Sequence, residues 1–110
     1  MRVLGRGPQP CEFFFCGELP GSQEARTGEP FVGRTSRDFN DYLLPSLGVR
    51  REDVFLTNLK REYRLEGQPY TPEARERDDA ELREELARVK PRLVVSIGAA
   101  ATRWFLGQDA

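Results

Sequence analysis

No histidine occurs among the 110 residues. That excludes a histidine general base, a Ser-His-Asp triad and the commoner zinc sites within this stretch. Cysteine is nearly as scarce, with only Cys11 and Cys16. Two thiols are too few for a disulfide framework, and a four-iron cluster takes four thiolates. No apolar run approaches the ~18 residues that a membrane span requires. Met1 to Gly5 leads into Pro8 and Pro10 rather than into the apolar stretch of a signal peptide, so a cytoplasmic location without membrane contact is expected. Charge of one sign is not in excess either, since 17 basic residues face 18 acidic ones for a net charge of −1. Global charge therefore does not advertise nucleic-acid binding, and any phosphate contact must come from a local cluster of cations. No Gly-Lys-Ser/Thr sequence occurs, which argues against a generic phosphate-loop domain.

What is present suits an ordinary globular domain, with 38% hydrophobic and 32% charged residues. The length predicts a single domain over 1–110 with one modest core. Residues 1–11 form an irregular, Gly/Pro-rich lead-in. Glu12-Phe13-Phe14-Phe15-Cys16 is a short apolar run bounded by turn formers, the pattern of a strand buried on both faces. Gly17 to Gly33 is rich in glycine and proline and reads as a loop. Thr35 or Ser36 can cap a helix whose apolar positions Phe39, Tyr42, Leu43 and Leu47 recur at helical spacing, with Pro45 shortening or kinking it.

Asp53 to Asn58 predicts a second strand ending on the polar pair Thr57-Asn58. Thr71-Pro72-Glu73 is a helix start, with Thr71 as cap and Pro72 in the first turn, and the helix runs towards Val89 with Leu82, Leu86 and Val89 inward. Its charged run from Arg75 to Arg88 is expected to be a solvent face carrying pairs such as Glu84–Arg88. Pro91 ends the helix, Leu93 to Ile97 is a third buried strand, and Gly98 opens a small-residue helix reaching Trp104 and Leu106. Strands alternating with helices imply a parallel sheet in a three-layer α/β arrangement. Ligands of such sheets sit beyond the carboxyl ends of the strands. Gly17 to Gly21, Thr57-Asn58 and Gly98 lie there.

At those loops the sequence resembles the uracil-DNA glycosylase superfamily, in particular its thermostable iron-sulfur branch. Gly17-Glu18-Leu19-Pro20-Gly21 with Glu24 fits a Gly-Glu-x-Pro-Gly turn followed by a second acid. Gly28-Glu29-Pro30-Phe31-Val32-Gly33 fits the Gly-x-Pro-Phe-Val-Gly segment. Arg50 to Lys60 fits the segment with a Thr-Asn pair and a lysine, and Thr71-Pro72-Glu73 and Lys90 to Gly98 complete the register. The resemblance spans about residues 3 to 107, and five motifs in order at the right spacing are far more specific than any one.

The resemblance implies excision of a flipped-out uracil from DNA, with DNA as partner. Asn58 would pair with uracil O4 and N3–H, for which a carboxamide has both donor and acceptor; otherwise it is a turn asparagine. Phe31 would stack on the uracil face, or else be a core phenylalanine beneath the loop. Glu18 would position the attacking water, and Glu24 would stand near uracil C5 and exclude a thymine methyl. Gly17 and Gly21 would allow close approach, with free amides for uracil O2 or phosphate. Arg34, Arg37, Lys60, Arg61 and Arg64 are the basic residues near that edge, with Arg34, Lys60 and Arg61 the phosphate contacts expected alongside Gly21, and with Glu62 and Glu66 diluting the patch.

The chain departs from the family pattern in two places. The branch's cluster takes two cysteines at positions matching Arg61 and Asp78, and two closely spaced upstream ones. No iron-sulfur cluster and no metal are therefore expected, with Cys16 a small buried hydrophobe. The family's His-Pro-Ser loop after a fourth strand has no counterpart in the sequence up to Ala110. A sheet of three strands with the fourth missing is expected, C-terminally incomplete, with an edge open to pairing or oligomerisation. Removing a hydrogen bond to a developing anion costs ~3–4 kcal/mol of transition-state stabilisation. An inactive module binding uracil or single-stranded DNA is thus the alternative expectation.

Overall fold

A computed structural model of the chain describes residues 2–65 and 67–107, with Thr35 described by its backbone only. The capping expectation at Thr35 and the charge of Glu66 fall outside that description. Three strands, β1 (Phe13–Gly17), β2 (Phe55–Asn58) and β3 (Leu93–Ser96), form one sheet in the order β2-β1-β3. Both pairings are parallel, and Gly17 stands opposite Asn58. The β-branched and aromatic residues of β1 and β2 suit a pleated surface covered on both sides, whereas β3, expected to be buried, is only half-buried and Leu93 is exposed, because its outer edge is unpaired among the described residues.

Alternation along β1 divides the core in two. Phe14 and Cys16 point to one face, where they meet Phe55, Leu82 and Val89 of the long helix α3 (Pro72–Val89) and Ala101 of α4 (Ala99–Phe105). Phe15 points to the other, against Phe31, Phe39, Leu44, Val54 and Leu56. Phe14 stacks on Phe55 at 5.2 Å, and Phe15 meets Phe39 edge-on at 5.2 Å. Each fully buried phenylalanine contributes about 1.5–3 kcal/mol. Helical segments on both faces of a parallel sheet make this a three-layer α/β fold.

Thr71 caps α3 as expected, its Oγ1 accepting from the Ala74 amide at 3.1 Å, and Pro72 occupies the first turn, where its missing N–H costs nothing. The helix closes on Lys90 in the left-handed region. Three further local expectations change. Inside the stretch expected to be loop, Ser22–Thr27 forms a short helix α1, because Glu24 turns back to accept from the Gly21 amide at 2.8 Å and Gly28 closes it at φ 78°. The helix expected to follow Ser36 is a 3₁₀ turn (Arg34–Ser36), a π turn (Phe39–Leu43) and one α turn, α2 (Leu44–Ser46), with no side-chain cap. Pro45 lacks the N–H that a regular helix would use there, and the widened turn precedes it. The α3 face expected to be solvated buries Asp78 and Glu85.

Those two acids bind α3 to the rest of the molecule. Arg61, itself fully buried, donates from Nη1 to Glu85 Oε2 at 2.7 Å, while Thr57 Oγ1 donates to Glu85 Oε1 at 2.7 Å. The Gly5 amide donates to the same carboxylate at 2.8 Å. Arg2 bridges Glu62, Asp78 and Glu81. The lead-in is therefore not free chain. Arg6 forms an antiparallel bridge with Leu56 and covers the outer edge of β2, whereas β3 pairs only with β1 among the described residues.

Candidate functional site

The carboxyl ends of β1 and β2 meet at a cavity of about 190 Å³ lined by Gly17, Glu18, Gly21, Glu24, Phe31 and Asn58, with Phe39 and Ile97 at its back. A larger cleft of about 680 Å³ lies beyond Phe31, between Leu44, Val49 and Arg51. It is open and mostly apolar and contains neither Asn58 nor Glu18.

Asn58 is the last residue of β2 and only 3% exposed. Its carboxamide makes no hydrogen bond to a described group and lines the cavity, where both its donor and its acceptor are open to a ligand's polar edge. Gly17 makes room for it. A β-carbon at Gly17 would lie 2.7 Å from Asn58 Oδ1 and 3.3 Å from the ring of Phe31. The amide and the ring thus converge on one spot over the backbone of Gly17.

Phe31 adopts φ 56°, in the left-handed region, where an aromatic residue costs about 1–3 kcal/mol. Arg51 and Asn40 hold it there. Arg51 Nη1 donates to Phe31 O at 2.8 Å and to Asn40 Oδ1 at 2.7 Å, Nη2 donates to Pro30 O, and Asn40 Nδ2 donates to Phe31 O at 2.9 Å. The ring also meets Phe39 edge-on at 4.8 Å. Arg51 and Asn40 were not singled out in the sequence. An arginine four residues before a strand carries no local sign that its guanidinium reaches back to residues 30 and 31.

Glu24 is buried and fully occupied by backbone. It accepts from the amides of Gly21 and Val32, each at 2.8 Å, and from Gly33. Burial pushes its carboxyl up, but the amides of Gly33, Val32 and Gly21 outweigh that and hold it below the ordinary glutamate range. A β-carbon at Gly33 would fall 2.9 Å from its Oε2. The Gly21 amide is thereby taken and is not free to hold a phosphate, contrary to the expectation for that turn.

Glu18 stands at the rim, paired with Lys60 Nζ at 3.1 Å, and the Lys60 amide donates to the Glu18 carbonyl at 2.8 Å. Arg34 is exposed beside Arg37 along a shallow cleft. Arg61 is not at the surface. Its burial and its pairing with Glu85 remove it from any phosphate contact, and its Nε and Nη2 find no partner among the described groups.

The residues do not fit a four-iron cluster. Cys16 is fully buried, and burial pushes its thiol up to about 12, the opposite of what a thiolate ligand requires. Cys11 lies with Sγ 3.3 Å from the Asp53 carbonyl. Arg61 and Asp78, which the resemblance sets at two of the cluster's cysteine positions, are both engaged in ion pairs. Among the described residues no group of three or more His, Cys, Asp or Glu could hold a metal ion, and no helix is long and apolar enough to cross a membrane.

A type-4 uracil-DNA glycosylase of Archaeoglobus fulgidus is 35% identical over 102 residues, 93% of this chain and 51% of that protein. Those of Thermotoga maritima and Saccharolobus solfataricus are 34% and 30% identical, over 94% and 93% of this chain and 54% and 47% of their own lengths. The chain spans about half the length of the curated relatives it matches. The family model of the uracil DNA glycosylase superfamily matches residues 4–110, and with the cavity at the ends of its parallel strands, the chain belongs to that superfamily.

Proposed function

We propose that this domain excises uracil from DNA by hydrolysing the N-glycosidic bond of a flipped-out deoxyuridine. The observation that carries the reading is Asn58, nearly buried at the end of β2 and lining the same cavity as Phe31 with its carboxamide free for a ligand. It offers a donor to O4 and an acceptor to N3–H, and Phe31 offers a ring to the base's face, a contact of ~1–3 kcal/mol. Glu18, tethered by Lys60 at the rim, orients a water towards C1′. The C1′–N1 bond breaks with its electron pair leaving on uracil. A bond from C1′ to the water oxygen forms, and the water's proton passes to the Glu18 carboxylate and then to solvent. Developing positive charge on the sugar is stabilised by the same carboxylate.

Glu24 lines the same cavity, its carboxylate fixed by the Gly21, Val32 and Gly33 amides, and stands on the side where uracil C5 would lie, so a held side chain there excludes a thymine methyl. Arg34 and Lys60 are the surface cations available for the flanking phosphates. Uracil-containing DNA as partner, a cytoplasmic setting, catalysis without an iron-sulfur cluster and an open β3 edge available for pairing belong to the same proposal.

The test is incubation of the purified chain with a labelled single-stranded oligonucleotide carrying one uracil, followed by alkaline cleavage of abasic sites. Scission at the uracil that is lost in Asn58→Ala supports the reading, and excision unchanged in that variant discards it.

A further inference from the structure

Beside the uracil cavity lies a second one of the same size, about 190 Å³, lined by Glu18, Leu59, Lys60, Tyr70, Asp79, Arg103 and Trp104 among others. Glu18 belongs to both, so the Glu18–Lys60 ion pair forms the partition. Leu59 and Lys60 directly follow Asn58, and their amides are pinned to the carbonyls of Gly17 and Glu18 at 3.0 and 2.8 Å. The floor of the second cavity therefore continues the floor of the first.

Its walls differ in kind from those of a core crevice. Two half-buried aromatic rings face it, one from the segment before α3 and one from α4. Lys60 Nζ lies 5.0 Å and the Arg64 guanidinium 4.4 Å from the Tyr70 ring centroid. Arg83 lies 5.2 Å from the Trp104 ring. The anions present are already engaged, since Glu18 is paired with Lys60 and Asp79 Oδ1 accepts from Trp104 Nε1 at 3.1 Å. Arg103 is exposed on the last turn of α4. Aromatic faces interleaved with guanidinium groups form the surface on which nucleobases stack while cations follow the backbone.

We propose that this second cavity seats a nucleotide adjacent to the uridine on the same DNA strand, its base against Tyr70 and Trp104 and its phosphate at Arg103. The proposal rests on the uracil-excision reading for the direction of the strand, but its own evidence is the aromatic and cationic lining. Lys60 then serves both cavities, as partition and as the cation nearest the phosphate between the two nucleotides.

Trp104 is the only tryptophan in the chain, so its fluorescence reports on this cavity directly. Titration with a short uracil-free oligothymidylate should quench it, whereas free uracil, which fills only the first cavity, should not. Arg103→Ala should weaken oligothymidylate binding several-fold and lower its salt slope by about one. Tyr70→Leu, checked for folding by circular dichroism, should weaken binding between about fivefold and a hundredfold. Asn58→Ala should leave the Trp104 response intact. Oligothymidylate that does not bind, or that binds by anisotropy without changing Trp104 emission and equally in Arg103→Ala, overturns the proposal. Excision with a silent Trp104 refutes the second cavity alone. A Trp104 response without excision refutes the uracil reading and leaves the second cavity standing.

Discussion

Asn58 Oδ1 lies 2.7 Å from the point where a β-carbon on Gly17 would stand. The two residues are register partners on β2 and β1, so the sheet itself holds them together. Gly17→Ala should force the carboxamide aside and crowd Phe31. Overpacking of this kind costs about 1–3 kcal/mol. We expect uracil excision to fall at least about tenfold in kcat/KM, a loss of roughly 1.4 kcal/mol in transition-state binding, with the chain still folded by circular dichroism. Wild-type kinetics in this variant would mean that Asn58 is not the base reader.

On the proposed reading, Arg51 acts on uracil through Phe31. Its fork over the Pro30 and Phe31 carbonyls fixes a backbone conformation that an aromatic residue does not favour. Arg51→Met should raise KM for uracil-containing oligonucleotide more than it lowers kcat. Arg51→Lys should recover little, because an ammonium cannot span both carbonyls. Steady-state kinetics on the two variants decides this, and equal loss in kcat alone would contradict it.

Glu24 should make stability depend on acid. Its folded-state pKa lies below the ordinary glutamate value. Its contribution is therefore complete above about pH 4.3, the unfolded value, and is lost as pH falls from there through the folded value. Thermal melts of wild type and Glu24→Gln across that window should converge at low pH and diverge above it, the variant being less stable by about 1–3 kcal/mol near neutrality. A constant gap at all pH values would refute the assignment.

Arg61 offers a test that separates stability from DNA contact. Removing one member of a buried ion pair costs about 3–5 kcal/mol, because the other charge is left uncompensated. Arg61→Met should lower the urea midpoint sharply, and Arg61→Met with Glu85→Leu should recover much of it. In protein that remains folded, Arg61→Met should leave the salt dependence of DNA binding unchanged, whereas Arg34→Ala should reduce its slope. A reduced slope in Arg61→Met would place that guanidinium at the surface after all.

Cys16 should resist alkylation. A thiol pushed up to about 12 by burial carries almost no thiolate near pH 8. Mass spectrometry after iodoacetamide treatment should find Cys16 modified only when denaturant is present. Rapid labelling of the native chain would show that the β1 face opens.

The sequence by itself determined the strand runs, the parallel α/β order, the Thr71 start of α3 and the polar ends of the strands. Each is a local signal, whether an apolar run, a cap or a glycine turn, and local sterics and hydrogen bonding act on it directly. The motifs that carry the family resemblance also lie in short contiguous segments. Tertiary structure alone decided which charges are buried. Arg61 sits in a run of basic and acidic residues that looks solvated, and only the packing of α3 against β2 encloses it with Glu85. Likewise Glu24 is one acid among many until the turn of residues 31–33 folds over it, and Arg51 becomes the support of Phe31 only across a separation of 20 residues. Long-range pairing of this kind leaves no periodicity in the chain, because the partner is chosen by where the backbone passes and not by what stands next in sequence.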